Sequence, residues 1–329
     1  MASIGRMIHS KFRLCLAQGQ RAKTSLALVL TLVALILPLL AQSAAAGQGA
    51  GSLNFLVISD WGGKAGTIQV AVGRQMGRTA AAEKSRFVIT CGDNYHGNGI
   101  ASADSPRWKT EYEEVYDAPS LMIPWYATLG NHEYRGKPDA EVAYSKLSPR
   151  WKMPARYYTH TEKIDAGNEV LFVHLDTSPF VAAYHKKDSS YHVEDQDPQA
   201  QLRWLESVLA ASRARWKIAV GHHPIYAAAS MHGDTKELKA EVLPVLEKYG
   251  VQVYFCGHDH VLEYLVHGQM NFFVCGGGAS PRAVKERPDV RFGAGSAGFL
   301  SMRLTATEAQ AAFINDQGKD LYQTTIPAR

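Results

Sequence analysis

The stretch Val251-Gln-Val-Tyr-Phe-Cys-Gly-His-Asp-His260 joins an apolar, β-rich run to a turn that carries two histidines. A nearly continuous apolar run of this kind is expected of a strand that is covered on both faces. Similar runs recur upstream, and each ends in a glycine or polar turn. They extend from Leu53 to Asp60, Arg86 to Asp93, Trp125 to Asn131, Glu169 to Asp176 and Trp216 to His222.

Helical patterns lie between these runs, at about Thr67 to Lys84, Pro106 to Tyr116, Pro198 to Ala211 and Lys236 to Tyr249. The alternation predicts an α/β architecture of packed sheets with outer helices. Short β-like segments after Met270 predict a largely antiparallel end to the sheet. Because no internal repeat or low-complexity linker follows residue 46, the sequence predicts one domain over residues 47–329.

The composition of the 329-residue chain is that of a globular protein. Its 46% of hydrophobic and 20% of charged residues exclude disordered, collagen-like and disulfide-scaffold classes. Five of the 35 lysines and arginines lie in residues 1–46, which leaves 30 basic against 31 acidic residues in the remainder. The remainder therefore has no global cationic field, and we expect no nucleic-acid partner.

Residues 1–46 have the order of a secretory signal peptide. Five basic residues precede the apolar run from Leu26 to Leu40, and the small residues Ala44-Ala45-Ala46 follow it. A spanning helix needs about 20 apolar residues, more than this run supplies. We therefore expect cleavage near Gly47 and a secreted or periplasmic protein without membrane association. An uncleaved anchor through residues 26–40 and an organellar transit peptide are the alternatives.

The predicted mature part contains three cysteines, Cys91, Cys256 and Cys275, each at the end of an apolar run. The odd number leaves at least one thiol free. Buried, unreactive thiols are expected at such positions. A disulfide between Cys256 and Cys275 is the alternative.

Polar residues stand at or just after the carboxyl ends of the apolar runs. In α/β sheets this edge is where ligand sites gather. Each residue alone could serve a turn or a cap, but together they form an ordered set of five motifs. Oxygen and imidazole donors without a thiolate indicate metal ions rather than a zinc ribbon. The set comprises Asp60, Asp93, Asn131, His222, His258 and His260.

With these motifs the sequence resembles the metallophosphoesterases, and within them the small tartrate-resistant type of purple acid phosphatase. Further segments carry the likeness over essentially the whole predicted mature chain. They include Trp151 to Tyr158, Leu175 to Phe180, Gly221 to Tyr226 and Gly257 to Tyr264. The resemblance implies a two-sheet β sandwich flanked by helices, with a binuclear metal centre that hydrolyses phosphate esters through a metal-bound hydroxide.

The resemblance also implies a role for each motif residue. Asp60 and His260 correspond to ligands of the first metal, and Asp93 to the carboxylate that bridges both. The ligands of the second metal correspond to Asn131, His222 and His258.

Four neighbouring residues have implied roles outside the ligand set. His132 matches a histidine that holds phosphate and protonates the leaving alcohol, and His232 matches a second such histidine. Surface histidines hydrogen-bonded to nearby carbonyls are the alternative for both. His223 and Glu133 are expected to support the ligands from behind.

One position departs from the family pattern. In purple acid phosphatases a tyrosine three residues after the bridging aspartate binds the ferric ion and produces the colour. Here that position holds His96, and Tyr95 stands one residue earlier. Replacing a phenolate by neutral imidazole removes one negative charge, which favours a divalent pair of iron, zinc or manganese over a ferric–divalent pair. The alternative is a shifted loop in which Tyr95 reaches the metal.

Three functions are consistent with the sequence. The first is a metal-dependent acid phosphatase that hydrolyses small-molecule phosphate monoesters. The second is a phosphodiesterase or nucleotide phosphatase that uses the same centre. The third is a metal-binding protein that has kept the fold and lost turnover.

Overall fold

The computed structural model describes residues 51–62, 66–278 and 280–329. The predicted signal peptide, residues 1–46, lies outside the described residues. In the described residues, fourteen strands form two seven-stranded sheets flanked by helices, which confirms the predicted α/β fold with a two-sheet β sandwich. Within the described ranges, no helix combines the length and hydrophobicity needed to cross a bilayer.

The strands follow one another in chain order with helices and loops between them. Their bounds are β1 (Leu53–Ile58), β2 (Val88–Thr90), β3 (Trp125–Ala127), β4 (Trp151–Lys152), β5 (Tyr158–Lys163), β6 (Glu169–His174), β7 (Trp216–Val220), β8 (Val253–Cys256), β9 (Leu262–His267), β10 (Met270–Cys275), β11 (Val290–Ala294), β12 (Gly298–Leu304), β13 (Glu308–Asn315) and β14 (Asp320–Pro327).

Each sheet combines a parallel part with antiparallel strands. The first has the order β14-β13-β12-β1-β2-β3-β4, in which β1 to β4 are parallel and β12 to β14 antiparallel. The second has the order β11-β9-β10-β8-β7-β6-β5, with β6, β7, β8 and β10 parallel. The largely antiparallel pairing expected after Met270 is found for β11, which pairs with β9, and for β12 to β14, whereas β10 pairs antiparallel with β9 and parallel with β8.

In the described part of the chain, four α-helices connect the strands: α1 (Thr67–Glu83), α2 (Asp139–Tyr144), α3 (Pro198–Ala211) and α4 (Leu243–Lys248). The bounds of α3 match the sequence prediction, and the Asp197 carboxylate caps it by accepting from the amides of Gln199 and Ala200.

Two predicted helices are shorter and less regular than expected. The segment from Pro106 to Tyr116 contains only a π-helical turn, Trp108–Glu113. The segment from Lys236 to Tyr249 contains a π-helical turn, Leu238–Val242, followed by the short helix α4. Pro244 at the start of α4 has no amide hydrogen to donate to the preceding turn, which accounts for the irregularity. Single 3₁₀ turns lie at Pro119–Leu121, Glu133–Arg135, Ser178–Phe180 and Ala182–His185.

The apolar runs are continuous because both faces of the central strands are covered. On β1, Phe55 and Val57 face the second sheet, whereas Leu56 and Ile58 pack towards α1 and an aromatic cluster around Trp61. Phe55 stacks on Phe87, with their ring centroids 4.9 Å apart. The core therefore fixes the carboxyl ends of the strands of both sheets.

The three cysteines are buried and free. Cys91 and Cys275 lie in the cluster between the sheets, and Cys256 lies in the cluster on the far side of the second sheet. The prediction of buried thiols is confirmed, and the alternative disulfide between Cys256 and Cys275 is absent.

Candidate metal centre

The two sheets bring the polar strand ends together. In the first sheet, Asp60, Asp93 and Asn131 follow the parallel strands β1, β2 and β3. In the second, His222 follows β7 and the 258–260 turn follows β8. The Asp60 carboxylate accepts a hydrogen bond from the amide of His258 at 2.9 Å, which joins the two edges directly.

Three of these residues have left-handed backbone conformations. The φ angles of Asp60, Asp93 and His258 are 60°, 47° and 67°, and the only other described non-glycine residue with positive φ is Lys84, which ends α1. Such a conformation costs roughly 1–2 kcal/mol per residue. Each strand therefore ends in a sharp, strained turn that directs a polar side chain into the centre.

Two glycines allow the loops to approach closely. A Cβ on Gly130 would lie 2.3 Å from the amide nitrogen of Asp93, and one on Gly257 would lie 1.9 Å from Ser59 Oγ. Any side chain at these positions would separate the strand ends. The glycines of the Gly-Asn and Gly-His motifs thus have a steric role in bringing the donor groups together.

The first group of donors consists of Asp60, His96 and His260, whose ligating atoms all lie within 4.8 Å of one another. The His260 ring places Nδ1 3.0 Å from the carbonyl oxygen of Ser280 and Nε2 3.6 Å from Asp60 Oδ1. Similarly, His96 Nδ1 contacts the carbonyl of Gly62. In both rings the contact of Nδ1 with a carbonyl directs Nε2 into the centre.

The second group consists of Asn131, His222 and His258. His222 Nε2 lies 3.0 Å from Asn131 Oδ1 and 3.2 Å from His258 Nδ1. Behind them, His222 Nδ1 lies 2.9 Å from the carbonyl oxygen of Cys91. The Asn131 amide donates to the Tyr191 hydroxyl at 3.2 Å, so its oxygen faces the histidines.

Asp93 lies between the two groups. Its Oδ1 is 3.3 Å from His222 Nε2, and its Oδ2 is 3.8 Å from His96 Nε2. The side chain is almost fully buried. One oxygen of the Asp93 carboxylate therefore faces each group of donors.

These donors fit metal ions. Asp60 Oδ1 and His96 Nε2 are buried and have no hydrogen-bond partner among the residues that the structure describes. Buried polar atoms of this kind normally have a partner, and carboxylate oxygens with imidazole nitrogens are common ligands of iron, zinc and manganese. Asp60, His96 and His260 could hold one ion, Asn131, His222 and His258 another, and Asp93 could bind both.

The electrostatics also favour bound cations. Burial raises the pKa of the Asp60 carboxyl, and the neighbouring Asp93 charge adds to this effect. Burial acts in the same direction on Asp93, but the charge and hydrogen bond of His222 outweigh it and lower the Asp93 pKa. Burial disfavours charge on His222 as well, yet Asp93 raises its pKa to about 9. A buried positive charge is thus stabilised at this point.

Three further histidines surround the donors. His132 Nε2 lies 3.9 Å from Asp93 Oδ2, while Nδ1 lies 2.7 Å from the carbonyl oxygen of Gly97. The ring of His232 lies 4.1 Å from that of His258. Although His223 is close to His222 and His258, its ring nitrogens contact Thr177 and Tyr184, so it supports the centre from behind.

Glu133 connects the two ligand loops. Its carboxylate accepts hydrogen bonds from the amides of Gly130, Asp93 and Tyr95 at 2.6, 3.1 and 3.0 Å. The loop that carries Asp93 is therefore held against the loop that carries Asn131. This geometry is that of the supporting role expected for Glu133.

The sequence analysis did not identify two residues that hold parts of the site in place. Asp259, between the histidines of the 258–260 turn, accepts from the amides of His232 and Gly233 and so holds the His232 loop. Its place inside the His-Asp-His motif was an available signal. Tyr191, which accepts from Asn131, lies in a polar loop without any pattern that marks it.

Tyr95 lies outside the centre. Its side chain is completely buried in the core cluster, where its ring packs against Trp61 at 5.6 Å and Trp108 at 4.9 Å. The His96 ring points the other way, into the first group of donors. The loop follows the path in which position 96, rather than position 95, faces the metal site.

The fold and this donor set define a metal-dependent phosphoesterase. Residues 53–262 match the family described as calcineurin-like phosphoesterase. The chain is 36% identical over 288 residues to purple acid phosphatase 4 of Arabidopsis thaliana, covering 83% of each protein. It is 32% identical over 325 residues to tartrate-resistant acid phosphatase type 5 of Homo sapiens, covering 92% of this chain and 97% of that one.

A solved structure shows the same fold. It is described as GAP50, the anchor in the inner membrane complex of Plasmodium, and superimposes with a TM-score of 0.76 at 22% identity, covering 85% of this chain and 90% of that one. The chain belongs to the calcineurin-like metallophosphoesterases and is related within them to the purple acid phosphatases.

Proposed function

We propose that the protein hydrolyses small-molecule phosphate monoesters at a binuclear centre. Asp60, His96 and His260 would hold one ion, and Asn131, His222 and His258 would hold the other. Asp93 would bind both. The observation that supports this most strongly is the convergence of Asp60 Oδ1, without a hydrogen-bond partner, with the Nε2 atoms of His96 and His260.

The metals and the protein contribute different chemistry. Bound ions would polarise the phosphoryl oxygens and lower the pKa of a water ligand, which supplies hydroxide as nucleophile. The Gly97 carbonyl contacts Nδ1 of His132, so Nε2 of this ring is directed towards the Asp93 carboxylate. In this position His132 binds the phosphate and delivers a proton to the departing alkoxide. His232 is proposed as a second phosphate-binding histidine.

The imidazole of His96 favours a divalent pair. A ferric and a divalent ion with two carboxylates, one phenolate and one hydroxide would carry a net charge of about +1. Two divalent ions with two carboxylates and one hydroxide, but no phenolate, would carry the same net charge. Iron, zinc and manganese all accept this mixture of oxygen and imidazole ligands. We propose that the centre works with a divalent pair of these metals.

We also propose that the protein is exported, through cleavage of residues 1–46. Support comes from the sequence order of basic residues, apolar run and small residues. A secreted or periplasmic phosphatase would meet small phosphate esters outside the cytoplasm.

Turnover is measured directly, since the structural relative GAP50 is described as an anchor. The test uses protein that has been stripped of metal and reloaded with Mn²⁺, Zn²⁺ or Fe²⁺. Its rates of hydrolysis are compared on the monoester phenyl phosphate and on the diester diphenyl phosphate. A higher rate on the monoester supports the proposal. A higher rate on the diester supports a phosphodiesterase, and no turnover with any metal supports a metal-binding protein without catalysis.

A further inference from the structure

A cavity of about 470 Å³ adjoins the metal centre on the side of His258. Small-molecule sites commonly have volumes of this order. A phosphoryl group, only a few times the roughly 30 Å³ of a water molecule, would leave most of the cavity free. The remaining space is available to the alcohol part of a phosphate ester. Two chain segments, residues 181–186 and 232–237, form most of the wall.

The wall carries two lysines, Lys186 and Lys236. Within the part of the chain that the structure describes, neither has an ion-pair partner. The carboxylate of Asp234, which also lines the cavity, is occupied elsewhere: it lies 2.9 Å from Lys239 Nζ and 2.6 Å from an Arg287 nitrogen. Its charge is thus compensated from outside the cavity, and the two ammonium groups are left without a counter-ion.

The rest of the wall has little negative charge to offset them. Glu237 directs one carboxylate oxygen to the amide of Ala182 at 3.3 Å. Val181 and Ala183 supply an apolar surface, and the Tyr184 hydroxyl is engaged by His223. The formal charge of the wall, with Asp234 compensated, is therefore positive.

We propose that this cavity binds the leaving group of the ester and selects leaving groups that carry a second anionic group, which Lys186 and Lys236 would pair with. The inference rests on the proposed phosphatase function and adds a substrate class to it. Lysine ammonium groups are point charges with rotatable donors, so carboxylate and phosphate are both accepted. Preferred substrates are monoesters of alcohols or phenols that bear a carboxylate or a second phosphate.

The test compares 4-carboxyphenyl phosphate with 4-carbamoylphenyl phosphate, whose leaving groups have similar size but differ in charge. The measured quantity is the ratio of kcat/KM for the carboxylate over the carboxamide. We expect a ratio of roughly ten in the wild-type protein, since two partly exposed ion pairs act together on the carboxylate. Lys186→Gln combined with Lys236→Gln should reduce the ratio to about one.

Lys187→Gln is the matched control, because Lys187 is adjacent in sequence and does not line the cavity. Its ratio should equal that of the wild type. A wild-type ratio of one or less contradicts the subsite, as does a high ratio that survives the double substitution. Absence of hydrolysis of both esters would overturn the proposed phosphatase function, and the subsite with it.

Discussion

Tyr95 and His96, adjacent in sequence, point to opposite sides of their loop. The Tyr95 ring lies 5.6 Å from the Trp61 ring in the core, whereas His96 Nε2 lies 3.8 Å from the Asp93 carboxylate. An imidazole, rather than a phenol, therefore faces the first group of donors. The absence of a phenolate's negative charge is the physical basis for expecting a divalent pair.

The first prediction concerns colour. Charge transfer from tyrosinate to iron(III) requires a phenolate on the metal, so the wild-type protein loaded with iron should lack a strong visible absorption band. His96→Tyr should increase the retention of ferric iron and produce such a band. Visible spectra and iron content, measured on both proteins after the same purification, check this.

Tyr95→Phe is the matched control for that experiment. The Tyr95 hydroxyl is buried without a hydrogen-bond partner, so its removal should change the free energy of unfolding by less than about 1 kcal/mol and leave metal content and activity unchanged. An intensely coloured wild-type protein that loses its colour in Tyr95→Phe would mean that Tyr95 is the ligand.

A second prediction separates proton transfer from metal binding. His132→Ala should keep both metals yet lose roughly 100-fold or more in turnover on alkyl phosphates, a typical contribution of a general acid. The loss should be smaller on 4-nitrophenyl phosphate, whose leaving group needs no proton. Equal losses on both esters would assign His132 to phosphate binding alone.

A third prediction concerns the hydrogen bonds by which the Glu133 carboxylate holds the two ligand loops together, here called the Glu133 clamp. Glu133→Gln leaves one side-chain oxygen where two now accept from three amides. Metal affinity should fall about 10–100-fold, the usual effect of removing a group that supports the ligands. Glu169→Gln, at an exposed position, is the control. Unchanged affinity in a metal titration of Glu133→Gln would show that the Glu133 clamp does not organise the site.

A fourth prediction follows from two neighbouring histidines, His160 on β5, which is half-buried, and His174 on β6, which is fully buried. Burial lowers the pKa of His160 to about 3, and burial together with His160 lowers that of His174. The unfolded chain therefore binds more protons between about pH 6.5 and pH 3, so the stability of the folded state decreases as pH falls through this window.

Urea unfolding at pH 7.5, 5.5 and 4.5 measures this decrease, which approaches about 1.4 kcal/mol per pH unit for each histidine. His160→Phe preserves a ring to stack on Tyr126, which lies 3.5 Å away, and should make the decrease shallower. The same slope in both proteins would show that His160 is protonated in the folded state.

The sequence predicts the architecture and most donors because the chemistry is concentrated at strand ends. Continuous apolar runs followed by Asp60, Asp93 or His258 indicate covered strands, and covered parallel strands share an edge. The sequence does not show in which direction each side chain of a loop points. Whether residue 95 or 96 faces the metal depends on the packing of Trp61 and Trp108, which lie far from Tyr95 in sequence.

Short and irregular elements were also missed or misplaced. Strand β4 has only two residues, and its pairing with β3 leaves no periodic signal. The support of Asn131 by Tyr191 spans 60 residues and depends on the course of a polar loop. Contacts of this kind are set by tertiary packing rather than by local pattern.

The most direct test of the binuclear centre is a metal titration of chelated protein, with phosphate release from phenyl phosphate and bound metal measured together. Activity should appear with Mn²⁺, Zn²⁺ or Fe²⁺ and reach its maximum at two ions per chain. Asp93→Asn should bind one ion or none and release no phosphate. Near-normal turnover with two ions bound to Asp93→Asn, or no phosphate release by the wild type with any of the three metals, would contradict the proposed function.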